Sequence, residues 1–87
     1  MSSVERLLAR MRRSKDGWSY LDLHRLYIGL GFDMREGGKH RIYIHPIFPE
    51  LRATVTRSRS LAKGYIQHAL YLAARIKEKG TNYEGQG

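Results

Sequence analysis

The sequence predicts a small α+β domain in which two helices, three antiparallel strands and a closing helix follow one another, with the helices on one face of the sheet. Three observations carry this. Apolar residues recur at helical spacing up to Leu30, alternate with a period of two from Phe32 to Thr56, and return to helical spacing after Leu61. The three alternating stretches are joined by connections too short for a crossover, so neighbouring strands run antiparallel. At 87 residues and 41% apolar content, the chain can bury one modest core. It is therefore expected to be a single domain, 1–87, with an N-terminal helix and linker over 1–17, a core over 18–79 and a flexible tail over 80–87. No internal repeat is present.

Each element has a local cause. Ser2-x-x-Glu5 has the form of a capping box ahead of Val4, Leu7, Leu8 and Met11, which places an amphipathic helix over residues 3–13 with a basic end at Arg12, Arg13 and Lys15. This helix is either an accessory layer or a segment that frays. After the linker Ser14-Lys15-Asp16-Gly17, a second cap, Ser19-x-x-Asp22, opens a helix over residues 20–30. Leu23, Leu26, Tyr27 and Leu30 share its apolar face, and Gly31 stops it.

Three strands are expected over residues 32–36, 39–45 and 51–56. Their core-facing residues are expected to be Phe32 and Met34, then Ile42 and Ile44, then Leu51, Ala53 and Val55. The opposite face would carry Arg35, Arg41, Tyr43, His45, Arg52 and Thr54 as a wet, basic and partly aromatic surface. Pro46 and Pro49 bound the loop between the second and third strands. The last helix, over residues 61–79, follows from the stripe Ile66, Ala69, Leu70, Ala73 and Ile76 or Lys77, widened by Tyr65 and Leu72. Gly80 is expected to end it.

Charge narrows the function classes. Lys and Arg number 16 against 8 acidic residues, a net charge of +8, which suits polyanionic partners or acidic proteins; the alternative is a surface that is basic for solubility alone. Cysteine is absent, so disulfides and thiolate zinc sites are excluded, and neither a cofactor nor a metal is expected. No apolar run approaches the roughly 20 residues of a membrane span, and the start, MSSVERLLARMRRSK, lacks a secretory apolar region and cleavage site. The expected location is the cytoplasm, with no membrane partner.

The candidate chemistry centres on Gly37-Gly38-Lys39-His40-Arg41. Two glycines suit a tight hairpin, because primed turns need positive φ, and the turn delivers His40 to the rim of the sheet between two cations. Cleaving RNA requires a base for a 2′-hydroxyl or water, donors for charge developing on phosphorus, and an acid for the leaving oxygen. Histidine, which as a residue type titrates near neutral pH, suits the first or third role. Lys39 and Arg41 would attract the phosphate, although strand alternation lets only one rim receive both. Taken alone, a histidine beside a turn is more often a surface residue than a catalytic one.

A second basic feature is Thr56-Arg57-Ser58-Arg59-Ser60 with Lys63 following. Here a loop runs into a helix N-terminus that favours anions, with Ser60 as N-cap, so Arg57, Arg59 and Lys63 are candidate phosphate contacts. An ordinary solvated loop is the competing reading. Tyr43 would either stack on a base or pack across to its neighbours. His45, an odd number of residues from His40, should face the other side, where it cannot share a metal or a proton with His40. His24 and His68 read as structural or solvated.

In their order and spacing these signals resemble the HicA family, the mRNA interferase toxins of type II toxin-antitoxin systems, whose fold is related to the double-stranded RNA-binding domain. The similarity runs from about Trp18 to Ala73. It rests on Leu30-Gly31-Phe32 closing a helix, the Gly-x-His turn Gly38-Lys39-His40, the strand Ile42-Tyr43-Ile44 ending in His45-Pro46, the strand Ala53-Thr54-Val55-Thr56, and Lys63-Gly64 opening a helix with Ile66. In the family the histidine of a Gly-Ser-His turn is catalytic, and the resemblance puts that role on His40. Lys39 here replaces the serine, and Arg41 holds a position that often carries histidine. The resemblance further implies an endoribonuclease acting on mRNA and a HicB-type antitoxin that covers its active site. The N-terminal helix is similar to an extension found in only part of the family and inherits no function. Two alternatives stand beside this: a non-catalytic RNA-binding module, and a protein-interaction domain that docks an acidic partner on its basic face.

Overall fold

The computed structural model describes the backbone of residues 2–86 and the side chains of residues 2–80. Its elements are α1 (Ser3–Arg13), α2 (Tyr20–Gly29), β1 (Asp33–Gly37), β2 (His40–Ile44), β3 (Arg52–Thr56) and α3 (Lys63–Gln86). α1 begins where Ser2 Oγ accepts the Glu5 N–H at 3.2 Å, and it is a packed layer, with Leu8 and Met11 buried. Its Val4 side chain occupies the space that a Cβ on Gly29 would need, so the missing side chain lets α1 approach α2 closely.

α2 carries a complete capping box. The Ser19 N–H donates to Asp22 Oδ2 at 3.0 Å and the Asp22 N–H to Ser19 Oγ at 3.4 Å, an arrangement worth about 1 kcal/mol. Its far end is closed by Gly31, at φ 95°. The Phe32 N–H reaches Tyr27 O and the Gly31 N–H reaches Ile28 O, both at 3.0 Å, the paired bonds of a Schellman ending.

The strands form one antiparallel sheet in the order β1-β2-β3. The β1-β2 turn consists of Gly38 and Lys39; Gly38 has φ 71° while among the described residues no non-glycine residue has positive φ, as in a II′ turn. A two-residue turn pairs even-numbered residues of β1 with odd-numbered residues of β2, here Met34 with Tyr43 and Glu36 with Arg41. Because Met34 points to the core, so do Tyr43 and Arg41. This reverses the face expected for β2. Tyr43 is 1% exposed and His45 5%, whereas Ile42 and Ile44 lie half-buried on the open side beside Arg35, Thr54 and Arg52. β1 and β3 face as expected, with Ala53 and Val55 buried.

The core is built on an aromatic stack. Tyr27 of α2 lies on Tyr43 with ring centroids 4.8 Å apart, and Phe32 meets Tyr27 edge-on at 4.9 Å. Small Ala53 beside Tyr43 in the register leaves room for the ring. His45 Nδ1 accepts the N–H groups of Ile47 and Phe48 at 3.2 and 3.3 Å, so this histidine organises the Pro46-to-Pro49 loop from within. The Tyr27 hydroxyl is buried with no hydrogen-bond partner among the described residues, and burial holds the phenol well above its ordinary pKa. An unsatisfied buried hydroxyl costs about 1–3 kcal/mol. Tyr27→Phe is therefore expected to raise the urea midpoint at unchanged slope; a lowered midpoint would show that the hydroxyl is satisfied.

α3 opens at Lys63, two residues later than expected. Ser60 is not its cap: with Lys63 as the first helical residue, the cap position falls on Ala62. The helix continues through Gly80; beyond it the expected flexible tail falls on residues whose side chains lie outside those described. Among the described residues no helix is long and apolar enough to cross a membrane.

Candidate active site and nucleic-acid interface

The turn end of the sheet gathers the predicted site. His40 opens the central strand, and its cross-strand partners are Gly37 and Thr56. One has no side chain and the other a short one, so the exposed imidazole on the open face is approachable. Among the described residues its ring makes no hydrogen bond. Lys39 is exposed in the turn, and its ammonium is in no ion pair among the described residues.

Arg41 lies on the other face from His40. Its side chain is 21% exposed, its guanidinium sits 5.4 Å from the Tyr20 ring centroid, and its Nε is 3.4 Å from Glu36 Oε1 without the alignment of a hydrogen bond. Glu36 Oε2 takes Arg57. One carboxylate thus holds two guanidiniums at the rim, which leaves this corner net positive before Lys39 is added. The register explains the gathering: Glu36 pairs with Arg41, Arg41 with Val55, and Arg57 follows β3 directly.

Arg59 and Lys63 extend this basic edge. Their loop is fixed against the start of α2, since the Tyr20 N–H donates to Ser58 O at 2.9 Å and the Leu61 N–H to Trp18 O at 2.7 Å. Arg59 is exposed and outside any described ion pair, while Lys63 Nζ lies 3.7 Å from Asp16 Oδ2. Exposed pairs of this kind are worth about 0–1 kcal/mol, so a phosphate can displace them. Tyr43, the expected base-stacking residue, is buried under the sheet and offers no ring face to a ligand.

His24 is the site feature that sequence reasoning missed. Its Nδ1 is 2.7 Å from the Tyr43 hydroxyl, one turn along α2 from Tyr20, so His24, Tyr43, Tyr20 and Arg41 form a half-buried polar cluster beneath the site. A signal existed: position 24 is four residues after Tyr20 and three before Tyr27, at the flank of the core face. Burial and then the Arg41 charge push the His24 pKa below its ordinary 6.5. The folded chain therefore binds this proton less readily than the unfolded chain. Stability is unaffected above about pH 6.5, falls as pH drops below it, and levels off below the folded-state pKa. The expected result is a lower melting temperature at about pH 5 than at about pH 7.5, with a smaller difference in His24→Gln; equal differences in the two proteins would remove His24 from this role.

No protein-family model matches the chain, and neither a curated protein nor a solved structure was found to match it.

Proposed function

We propose that this chain is the toxin of a type II toxin-antitoxin pair, an mRNA interferase of the HicA kind with a double-stranded RNA-binding-domain-like fold, acting in the cytoplasm. The observation that carries the reading is an exposed, unhindered His40 at the turn end of the sheet, with Lys39 exposed in the same turn and the Glu36-bridged Arg41 and Arg57 at the same rim on the opposite face. The α-β-β-β-α order with helices on a single face supports the fold assignment.

In this reading His40 works as general base or general acid. As base it takes the proton of a 2′-hydroxyl, whose oxygen attacks the adjacent phosphorus; as acid it gives a proton to the departing 5′-oxygen. Lys39 and Arg57 face the negative charge that develops on the phosphoryl oxygens. Arg59 and Lys63 hold the RNA backbone further along the loop, and each contact with single-stranded RNA adds about 0.7 to the salt dependence of binding. Arg41 acts from the inner face, keeping Glu36 in place rather than touching the reacting atoms. A net charge of +8 also steers the chain toward an acidic HicB-type antitoxin.

One observation favours a second reading. The His40 ring has no described partner to orient it, as befits a non-catalytic RNA-binding module. Expression in a growing bacterial culture separates the two: the interferase arrests growth and His40→Ala does not at equal expression, whereas arrest by both proteins would overturn the catalytic assignment.

A further inference from the structure

α1, the linker after it and the first turns of α2 line an open groove of about 540 Å³ beside Trp18. Arg10, Arg13 and Arg25 line it, all three exposed. Its floor is fixed, because the Trp18 Nε1–H donates to Ser14 O at 2.8 Å and the Arg10 guanidinium lies 5.3 Å from the Trp18 ring centroid. The two acids at its margin are already engaged. Asp22 caps α2 through Oδ2 and keeps Arg25 only at 3.9 Å, while Asp16 faces Lys63. Among the described residues Arg10 and Arg13 are in no ion pair, so the groove holds uncompensated positive charge in a set position.

The groove also continues the basic edge of the site. The Leu61 N–H donates to Trp18 O and Lys63 pairs with Asp16, so the groove with Arg25, Arg10 and Arg13 adjoins the loop that carries Arg57, Arg59 and Lys63. We propose that the α1-α2 groove is a second phosphate-binding subsite, which takes the backbone of a single-stranded RNA at a distance from the cleaved bond. This inference rests on RNA being the ligand, and not on cleavage.

Other polyanionic surfaces fit less well. A membrane-bound helix inserts an apolar face, but Leu8 and Met11 of α1 are turned into the core. A protein interface is organised around buried apolar or aromatic anchors, and the groove's one aromatic, Trp18, is 8% exposed. A sugar-phosphate backbone needs only charge at the right spacing.

The test is the salt dependence of binding to fluorescently labelled single-stranded RNAs of about 4 and about 16 nucleotides, measured in a His40→Ala parent so that cleavage does not enter. Arg10→Gln, Arg13→Gln and Arg25→Gln together should lower the slope magnitude by about 2 on the longer RNA, at about 0.7 per lost contact, and leave the shorter one unchanged. The Arg13→Gln, Arg25→Gln pair, which keeps the Arg10-Trp18 contact, should lower it by about 1.4 even if the triple variant folds poorly. An unchanged slope on the longer RNA, or an equal fall on both RNAs, would overturn the subsite. So would a variant that loses binding to anionic phospholipid vesicles or to an acidic protein while its RNA slope stands. A lowered slope together with a wild type that cleaves nothing would keep the groove and discard the nuclease.

Discussion

Tyr43→Ala should lower the urea midpoint of the fold sharply, removing about 3–5 kcal/mol of its stability. The substitution removes a ring that is 1% exposed and stacked on Tyr27 at 4.8 Å, and truncating a buried aromatic costs about 3–5 kcal/mol. A domain of 87 residues has a total stability of about 4–13 kcal/mol at about 0.05–0.15 per residue, so the loss takes a large share of it. Tyr43→Phe keeps the ring and removes only the partner of His24 Nδ1. His24 is partly exposed and can rehydrate, which holds that cost near the lower end of about 0.5–1.5 kcal/mol. Circular dichroism with urea titration separates the two variants. If Tyr43→Ala stays folded with a small change in midpoint, the ring lies on the open face and the base-stacking role expected from sequence returns.

The reversed face of β2 shows what the sequence offered and where it was misread. In Arg41-Ile42-Tyr43-Ile44-His45 both alternating sets contain residues that can be buried, and hydropathy favours the isoleucines. Turn length decides the matter. A two-residue connection sets even positions of β1 opposite odd positions of β2, so an inward Met34 requires an inward Tyr43 and excludes an inward Ile42. Small Ala53 and Val55 across the core face point the same way, since they leave depth that a tyrosine fills.

Features set within a few residues were legible. The Ser19-Asp22 box, the Gly31 ending and the Gly-rich hairpin appear where their local chemistry puts them. The start of α3 was not, because the Ser58 hydroxyl bonds both the N–H and the C=O of Ser60 and holds this stretch as a turn, a local side-chain-to-backbone arrangement that pattern alone does not resolve. His40 at the sheet rim followed from the turn. The Glu36 bridge to Arg41 and Arg57 did not, for it joins positions 21 residues apart that only the strand register brings together.

His40→Ala should reduce RNA cleavage by about 100-fold to 10,000-fold, the usual contribution of a positioned proton-transfer group. The fold should be unaffected, because the side chain is exposed and forms no hydrogen bond among the described residues. RNA affinity should also hold, since the proposed reading gives the phosphate contacts to Lys39, Arg57, Arg59 and Lys63. Catalysis and binding are thus expected to separate at this one position.

The decisive measurement is gel-resolved cleavage of a single-stranded RNA by wild type and His40→Ala at matched concentration, with circular dichroism to confirm that both are folded. Cleavage by the wild type and its near-complete loss in the variant, at equal RNA affinity, is the expected result. Equal cleavage by both proteins, or none by either while RNA remains bound, would contradict an interferase centred on His40.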